Sequence, residues 1–541
     1  MRTPFDPLAQ HYASQRFPIY ARGGMINCSS PLAAAAGLEI LRRGGNAMDA
    51  AVAAAAALTV VEPTANGIGS DAFALIWSAK ERRLYGLNAS GPAPMLATVE
   101  RVLADGQDVS GRMPAWGWTP VTVPGAPKAW AAITERFGNL SLQENLKPAV
   151  NYAREGYPCA PNLSAIWKRE HERYQKVLRG EAFDNWFRTF APNGSPEAGD
   201  IIRLPQHAET LEAIGYTHAD ALYTGELAKR IDSESKKFGG YLRYEDMAAY
   251  QPVWVDPISV RYRGYDVCEI PPNGQGIVTL MALNILKEFP VKELDDPLTV
   301  HRQLEAIKMA FADAFRYVTD PEYMKIDYRS LLMPDYGARR AADMADRAQV
   351  WSHGLPPQSG TVYLCCADGK GNMVSYIQSN YMEFGSGVVV KGTGIALQNR
   401  GADFSLDPNA ANVLKPGKRT YHTIIPGFLM KEGKPVGPFG VMGGYMQPQG
   451  HLQVMTNYID FCLDPQQALD APRWQWIRKG HVTVETRFDS NLARSLARMG
   501  HDIHVDLHTE NFGRGQMIVR LPNGVLVGGT ESRTDSNIAC F

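Results

Sequence analysis

A threonine that follows a glycine at the start of a strand-like segment is the first candidate for chemistry. Residues 361–367 are rich in β-branched and aromatic residues, a composition that favours a strand beginning at Thr361. If the chain were cut before Thr361, the new α-amine, with an ordinary pKa of about 8, would supply the base that a threonine hydroxyl needs. For the Gly360–Thr361 pair alone, strand packing is the simpler explanation.

The residues after Thr361 predict a hairpin that brings a second hydroxyl beside it. The strand-like runs 361–367 and 373–380 flank a turn, Asp-Gly-Lys-Gly-Asn, at 368–372. If Ala367 pairs with Met373, Thr361 lies opposite Ser379, with the two Cβ atoms about 5 Å apart. A β-bulge would shift this pairing by one residue. Ser379 is therefore predicted to orient the amine or the hydroxyl of Thr361.

The elements that must position this hairpin are mostly helical. Apolar spacing predicts helices over 31–43, 47–60, 148–155, 163–178, 206–214, 222–237 and 300–319. Pro148 is assigned to the first turn of its helix. Strands are predicted over 72–78, 83–88, 258–262 and 265–270, the first of them buried on both faces. The chain becomes strand-rich after about residue 355. We place the main boundary at 360/361, with both parts sharing one core.

Composition excludes several classes of function. With 541 residues and a formal net charge of −1, the chain lacks the basic face of a nucleic-acid binder and gives no reason to expect binding to a membrane. The longest apolar run, 50–61, is too short to span a bilayer. No apolar leader follows the N-terminus, so we expect a cytoplasmic protein. Seven cysteines without a Cys-x-x-Cys pair predict neither a zinc site nor a disulfide framework, and we expect no cofactor.

Motifs along nearly the whole chain resemble, in order, those of gamma-glutamyltransferases, also called gamma-glutamyltranspeptidases. Each motif alone is modest, but their joint order is specific. In the last third the matches are 359–363 (Ser-Gly-Thr-Val-Tyr), 371–375, 384–387 (Phe-Gly-Ser-Gly), 403–405, 416–419 and 440–444 (Gly-Val-Met-Gly-Gly). In the first two-thirds they are 44–51 (Gly-Gly-Asn-Ala-Met-Asp-Ala-Ala), 62–63, 123–125 and 305–313.

This resemblance implies the N-terminal nucleophile hydrolase fold, an α+β protein in which two stacked sheets lie between helical layers (αββα). It implies self-cleavage of the Gly360–Thr361 bond into a large subunit, 1–360, and a small subunit, 361–541, which stay associated. The cleaved pair is also a candidate for homo-oligomerisation. Thr361 would attack the bond during maturation and then act as the nucleophile of the mature enzyme.

The resemblance also implies that Gly443 and Gly444 form an oxyanion hole. Glycine lets backbone N–H groups approach a developing negative charge closely. A helix predicted over 449–458 would add the field of its N-terminus. A plain Gly-Gly turn is the alternative.

The substrate-binding positions depart from the family pattern. Ser90 stands where the family has the arginine that holds the glutamyl carboxylate, and Tyr381 replaces an asparagine. His422 and Thr423 replace paired serines. Asp403, which in the family holds the glutamyl amine, is kept. These changes put gamma-glutamyl specificity in doubt.

Two residues are new candidates for binding an anionic substrate. Arg400 lies near Asp403 in the sequence, and a guanidinium binds a carboxylate through two hydrogen bonds. His422 can donate a hydrogen bond. The alternatives are that Arg400 only pairs with Asp403 and that His422 is a core histidine.

The expected activity is hydrolysis of a small carboxylate-bearing amide. Oxamate, cleaved to oxalate and ammonia, is our first choice, because this divergent branch is similar to oxamate amidohydrolases. The alternatives are a gamma-glutamyl transferase or hydrolase acting on glutathione-like substrates, a glutaryl or cephalosporin acylase, and an uncleaved, non-catalytic relative that binds a metabolite.

Overall fold

Nineteen strands and seventeen α-helices make up the computed structural model, which describes residues 16–105, 111–351 and 360–541. The strands are β1 (Ile19–Ala21), β2 (Gly24–Cys28), β3 (Asp71–Ser78), β4 (Arg83–Ala89), β5 (Tyr157–Pro158), β6 (Ile201–Ile202), β7 (Val253–Val255), β8 (Ile258–Tyr262), β9 (Tyr265–Glu269), β10 (Gly360–Asp368), β11 (Met373–Tyr381), β12 (Gly427–Lys431), β13 (Lys434–Met442), β14 (Trp474–Arg478), β15 (His481–Glu485), β16 (Asp502–Asp506), β17 (Arg514–Arg520), β18 (Leu526–Thr530) and β19 (Asn537–Cys540).

The helices lie mainly in the first two-thirds of the chain. They are α1 (Pro31–Arg42), α2 (Ala47–Val61), α3 (Val99–Ala104), α4 (Ala126–Phe137), α5 (Leu142–Glu155), α6 (Pro161–Val177), α7 (Asp184–Phe190), α8 (Pro205–Tyr216), α9 (Asp220–Tyr223), α10 (Glu226–Lys237), α11 (Tyr244–Ala249), α12 (Gly276–Leu286), α13 (Pro297–Tyr317), α14 (Pro334–Ala342), α15 (Met446–Ile459), α16 (Pro465–Asp470) and α17 (Ser490–Arg498). Short 3-10 turns cover Glu181–Phe183, Pro321–Tyr323, Tyr328–Leu332, Arg400–Asp403 and Thr509–Phe512. Within the described ranges, no helix is both long and apolar enough to cross a bilayer.

Two seven-stranded sheets form the centre of the molecule. Sheet I has the order β1-β18-β17-β13-β12-β9-β8, and sheet II has the order β19-β2-β10-β11-β3-β4-β7. Each sheet contains strands from both sides of the 360/361 boundary. In sheet II, β10 and β11 lie between β2 and β3, and every neighbouring pair is antiparallel. The predicted shared core is therefore built into the hydrogen bonding of both sheets.

Three apolar layers hold the sheets and helices together. Between the sheets, side chains such as Phe73, Tyr363 and Phe428 form one buried cluster. The outer face of sheet II packs on a helical layer that includes α1, α2, α4 and α5. The outer face of sheet I packs on α12, α13 and α15. The order of layers is helix, sheet, sheet, helix, which is the αββα arrangement expected from the resemblance.

Helix α2 shows how the sequence builds the support behind the hairpin. Asn46 caps it by accepting hydrogen bonds from the N–H groups of Met48 and Asp49, and Asp49 accepts one from the Asn46 N–H. Such a reciprocal capping box satisfies N–H groups that have no partner inside the helix. Every residue of α2 is buried, and the helix packs on β10 and β11. Its alanine-rich composition permits this close approach.

The helix predictions are correct in kind but need correction at their ends. Pro148 is not in the first turn, because α5 begins at Leu142, where Ser141 and Glu144 form a capping box. The predicted helix 222–237 is two helices, α9 and α10, separated at Thr224 and Gly225. Helix α15 begins at Met446, three residues before the predicted start.

Candidate active site

The hairpin of β10 and β11 has the predicted register up to a bulge at Thr361. Ala367 pairs with Met373 and Val362 pairs with Gln378, but Gly360 pairs with Tyr381 rather than with Asn380. The irregularity lies between Gly360 and Val362, so it surrounds Thr361. β-Bulges redirect a side chain locally. Here the bulge lies next to the bond that the resemblance marks for cleavage.

A chain of hydrogen bonds links the Thr361 hydroxyl to the preceding carbonyl group. Thr361 Oγ1 donates to Ser379 Oγ over 3.1 Å, and Ser379 Oγ donates to the Gly360 carbonyl oxygen over 2.6 Å. The Tyr381 N–H donates to Ser379 Oγ over 2.8 Å and fixes that hydroxyl. Thr361 and Ser379 are 0% and 1% exposed. The geometry can polarise the Gly360 carbonyl and orient the hydroxyl that would attack it.

Asp71 extends this row of polar side chains into β3. It pairs with Ser379 across the sheet, accepts a hydrogen bond from the Gly91 N–H over 3.1 Å, and lies 3.0 Å from His422 Nε2. Burial raises the pKa of Asp71 to about 7, although the positive charge of Arg400 acts in the opposite direction. A carboxyl group with such a pKa changes its charge near neutral pH.

His422 is a buried, neutral partner of Asp71. Burial, with a contribution from the charge of Arg400, lowers the pKa of His422 well below its ordinary value. Its Nδ1 accepts a hydrogen bond from the Ile424 N–H over 3.4 Å, so Nε2 carries the proton and donates to Asp71. Both ring nitrogens are occupied, which favours the core-histidine interpretation of His422 over substrate binding.

Arg400 is held in a buried cluster with three of the predicted substrate-binding residues. It lies in the 3-10 turn Arg400–Asp403, and its Nη1 donates to Asp403 Oδ2 over 3.3 Å and to Thr423 Oγ1 over 2.8 Å. Its guanidinium carbon lies 4.0 Å from the centre of the Tyr381 ring, a cation–π contact. The Tyr381 hydroxyl donates to Asp403 Oδ1 over 2.5 Å. The cluster joins Tyr381, Arg400, Asp403 and Thr423.

One edge of the Arg400 guanidinium has no partner. Arg400 is 1% exposed, and its Nε and Nη2 atoms are buried without a hydrogen bond to any described residue. A buried charged donor that makes no hydrogen bond is costly. Nε–H and Nη2–H project from the same edge of a guanidinium, which matches the spacing of two carboxylate oxygens. Arg400 therefore pairs with Asp403 and still presents a complete two-donor edge.

Asp403 is more fully engaged than Arg400. Its Oδ1 also accepts a hydrogen bond from the Tyr445 hydroxyl over 3.3 Å. Burial raises the pKa of Asp403, while Arg400, Tyr381 and Tyr445 oppose that rise. With three donors already in place, Asp403 braces the cluster and has less capacity for a substrate amine.

A cleft of about 960 Å³ opens onto this cluster. Tyr381 and Asp403 line it, together with further aromatic side chains such as Tyr421 and Tyr445 and the exposed Arg112 and Arg478. Thr361 does not line the cleft. A ligand in the cleft would contact the Tyr381–Asp403 side of the site.

Gly443 and Gly444 form the turn between β13 and α15. Their φ angles are +131° and +57°, which only glycine adopts readily. Neither N–H donates a hydrogen bond to another residue within the described parts of the chain. Gln275 Nε2 donates to the carbonyl oxygens of Gly444, over 2.8 Å, and Thr423, over 2.6 Å. The turn is thus held by Gln275 and leaves its N–H groups available.

Several residues of this site were not predicted from the sequence. Asp71 and Gln275 come from distant segments and lie outside the motifs described above, whereas Tyr445 directly follows the motif at 440–444. Glu383 also lies here, against Gly360. The sequence did contain an indication that Asp71 belongs to a site, because a carboxylate that begins an otherwise apolar strand is unusual.

Among the described residues, two clusters have side chains that suit a metal ion, and neither includes a residue of this site. His301, Glu305 and His501 are buried, but Lys308 Nζ lies 2.7 Å from Glu305 Oε1 and already supplies a positive charge there. His481, Asp502 and His504 lie at the surface, on β15 and β16.

Known proteins resemble this chain over nearly its full length. A family model described as gamma-glutamyltranspeptidase matches residues 33–541. The glutathione hydrolase-like YwrD proenzyme of Bacillus subtilis is 36% identical over 93% of this chain and 96% of its own. The oxamate amidohydrolase proenzyme of Klebsiella pneumoniae is 34% identical over 96% of this chain and 98% of its own.

A solved structure shares the whole fold. A cephalosporin acylase from Bacillus halodurans is 54% identical, with a TM-score of 0.96 over 100% of this chain and 99% of its own. Together with the family match and the layered sheets, these similarities identify the fold and the class of enzyme. The chain belongs to the gamma-glutamyltranspeptidase family, whose members are N-terminal nucleophile hydrolases made as proenzymes.

Proposed function

We propose that this protein is a self-cleaving amidohydrolase with Thr361 as its nucleophile and a small carboxylate-bearing amide as its substrate. The observation that carries the proposal is the hydrogen-bonded chain from Thr361 through Ser379 to the Gly360 carbonyl. The same hydroxyl serves two successive reactions. Residues 1–360 become the large subunit and residues 361–541 the small one.

Maturation begins with attack of Thr361 Oγ on the Gly360 carbonyl carbon. The hydroxyl proton leaves through Ser379, whose hydrogen bond stabilises the negative charge that develops on the carbonyl oxygen. The C–N bond breaks, the Thr361 nitrogen takes a proton, and Gly360 is left as an ester on Oγ. One water then hydrolyses the ester, which yields the Gly360 carboxylate, restores the Thr361 hydroxyl and releases a proton.

The free α-amine of Thr361 is the base in the mature enzyme. It takes the Oγ proton as Oγ attacks the substrate amide, and it returns that proton to the leaving ammonia. Water hydrolyses the acyl-enzyme ester. For oxamate, the products are oxalate and ammonium. The Gly443–Gly444 turn, with unbonded N–H groups, is our candidate for stabilising the tetrahedral oxyanion.

The carboxylate of the substrate is assigned to the open edge of Arg400. Support comes from the two unpartnered donors, Nε and Nη2, which a carboxylate would satisfy together. At the family's arginine position, the Ser90 side chain carries no charge: its hydroxyl donates to Asn88 and accepts from Asn273, and the nearby Arg419 Nε donates to the Ser90 carbonyl oxygen over 3.1 Å. The similarity to an oxamate amidohydrolase is consistent with a short acid amide.

An acylase for a bulkier acid is the second candidate. The cleft of about 960 Å³ is far larger than oxamate requires, and aromatic side chains line much of it. The 54% identity to a cephalosporin acylase points the same way. Both candidates use the same nucleophile and differ only in the group that fills the cleft.

Maturation is tested on the purified protein by a denaturing gel and N-terminal sequencing. The proposal expects two fragments, the smaller beginning Thr-Val-Tyr-Leu, and a single uncleaved chain for Thr361→Ala. A different first residue would remove Thr361 from its role. A single wild-type band would support the non-catalytic alternative.

The substrate is tested by measuring release of ammonia or amine from a panel of amides. Oxamate, a glutaryl amide and a gamma-glutamyl anilide, the last with and without glycylglycine, separate the hydrolase, acylase and transferase functions. Stimulation of anilide turnover by glycylglycine would contradict the hydrolase assignment.

A further inference from the structure

A groove of about 620 Å³ lies where hairpin turns of the two sheets meet. Residues of the β3–β4, β10–β11, β12–β13 and β17–β18 turns line it, so both sheets contribute to it. Among the described residues, none lines both this groove and the cleft beside Asp403. An extended strand rises about 3.3 Å per residue, which places Asp368 about 23 Å along β10 from Thr361. The groove is therefore separate from the candidate active site.

The residues that line this groove carry mostly positive charge, in a chain whose formal net charge is only −1. Among the described lining residues, Glu432 is the only carboxylate, so five cations give the lining a net charge of +4. None of the five forms an ion pair with a carboxylate in the parts of the chain that the structure describes. We call this the basic groove, and its cations are Arg82, Lys370, Lys431, Lys434 and Arg520.

Carboxylates near the basic groove have partners of their own. Asp266 lies 3.7 Å from Arg261 Nη1, and Asp368 accepts hydrogen bonds from three backbone N–H groups. Glu81, next to Arg82 in the sequence, accepts a hydrogen bond from a tyrosine hydroxyl. The five cations thus repel one another, and an anion bound in the groove would relieve that repulsion.

The basic groove offers a fixed cation and aromatic surface as well as charge. The Arg520 guanidinium lies over the β10–β11 turn, where a Cβ atom placed on Gly371 would collide with Nη1. Gly371 also has a φ of +96°, which favours glycine. Trp77, Tyr265 and Tyr458 line the groove, and the two tyrosine rings meet edge to face with 6.4 Å between their centres. A ligand could therefore contact cations and aromatic rings together.

We propose that the basic groove binds a small molecule that carries a polyphosphate chain on a flat ring system, as a nucleoside triphosphate does. A triphosphate carries about four negative charges near neutral pH, which balances the charge of the lining. Lysine and arginine bind phosphate oxygens, and aromatic rings bind a base by stacking. The volume of about 620 Å³ is typical of small-molecule sites. This binding does not depend on chemistry at Thr361.

Isothermal titration calorimetry of the purified protein with ATP, in about 50 mM salt without divalent cations, measures the binding. We expect a Kd below about 100 µM for ATP, about tenfold weaker binding of inorganic triphosphate, and no binding of adenosine up to about 1 mM. A protein that does not bind ATP would overturn the proposal. Triphosphate or adenosine bound as tightly as ATP would also overturn it, because both the rings and the cations are required.

The double variant Lys431→Gln/Lys434→Gln removes two cations beside the β12–β13 turn and should weaken ATP binding at least about tenfold. Its matched control, Lys168→Gln/Lys292→Gln, makes the same change in net charge at two exposed lysines outside the groove. The control should bind ATP within about twofold of the wild type, because distant surface charges are screened. Equal weakening by both pairs would indicate general attraction to charge and overturn the proposal. Cleavage at Thr361, followed on a gel, reports separately on the proposed function.

A further measurement needs no variant. ATP whose ribose has been oxidised to a dialdehyde couples to nearby lysine amines, and reduction makes the link permanent. Peptide mapping by mass spectrometry should find the label mainly on Lys370, Lys431 or Lys434, and excess ATP should suppress it. Label spread over the surface lysines, or label unaffected by ATP, would overturn the proposal.

Discussion

Two buried arginines in the last third of the chain show how differently a guanidinium can be accommodated. All three nitrogens of Arg533 donate hydrogen bonds, to Glu485, to Glu531 and to the carbonyl oxygens of Leu469 and Ala471. Arg400 is equally buried but uses only Nη1. The first arrangement is complete within the chain, whereas the second leaves Nε and Nη2 of Arg400 without partners among the described residues. Burial alone therefore does not distinguish the two arginines, but the number of their unsatisfied nitrogens does: Arg400 has two, whereas Arg473, which lies beside Arg533, has one.

The buried carboxylates near these two arginines also differ in how well positive charge compensates them. Burial would raise the pKa of Glu531, but Arg473 and Arg533 outweigh it and hold that pKa at about 2. Burial raises the pKa of Asp71 to about 7, because Arg400 compensates it only in part. The Arg533 cluster is thus electrostatically balanced, and the site around Arg400 is short of stabilising partners. Unbalanced charge of this kind is common at functional sites.

The largest expected effect is on stability, from Arg533→Met. Removing this cation leaves Glu485 and Glu531 buried with fewer partners, and breaking a buried pair in this way costs about 3–5 kcal/mol. Urea unfolding of the uncleaved Thr361→Ala background measures the loss for a single chain. Arg400→Met in the same background should cost clearly less, because only Nη1 has partners to lose. Equal losses would contradict the distinction between the two arginines.

The next effect is on catalysis, from Arg400→Lys. Lysine keeps the charge but cannot present two parallel donors, so kcat/KM for oxamate should fall by about 10²-fold, or about 2.7 kcal/mol. A neutral amide of similar size should lose far less, and cleavage at Thr361 should persist. Rates for both amides on the fully cleaved variant provide the measurement. If both substrates lose equally, Arg400 only braces Asp403.

A smaller effect is expected from pH. The pKa of Glu531 is lower in the folded state, so its contribution to stability is present above its ordinary pKa of 4.5 and is lost as pH falls towards 2. The pKa of Asp71 is raised, so its contribution is present below 3.8 and is lost as pH rises through about 7. Urea midpoints between pH 3 and 8 should show less acid sensitivity in Glu531→Gln and a smaller decline towards pH 7 in Asp71→Asn. Unchanged profiles would show that other groups dominate.

The smallest effect on substrate preference is expected from His422→Gln. Both ring nitrogens already have partners, so the ratio of oxamate to neutral-amide turnover should change by less than about threefold. A fall in the overall rate or in the stability of the variant is compatible with this prediction, because Asp71 loses its hydrogen-bond donor. A change in the ratio as large as that of Arg400→Lys would return His422 to the substrate site.

The parts of the site that follow from local geometry were predictable. The turn at 368–372 sets the register of β10 and β11, which places Ser379 beside Thr361. The proximity of Arg400 to Asp403 follows from their spacing. The contact of Asp71 with His422 was not predictable, because it joins residues 351 positions apart, one at the start of β3 and the other in the segment before β12. The open edge of Arg400 also depends on side chains from several segments.

The fold was predicted through the resemblance more than through periodicity. Apolar spacing located most helices but misplaced the start of α5, because the capping box at Ser141 lies before the apolar run. It did not divide α9 from α10 at Gly225. The stacking of the two sheets involves contacts between distant strands, for which local spacing carries no signal.

Both sheets combine strands from before and after the 360/361 boundary, which has a consequence for biosynthesis. In sheet II, the hairpin of β10 and β11 has β2 and β3, from the first part of the chain, as its outer neighbours. While the chain is continuous, these strands find one another as parts of a single molecule, at an effective concentration that two free polypeptides cannot match. The two pieces made as separate genes should reassemble poorly, and the mature enzyme, once denatured, should not readily recover.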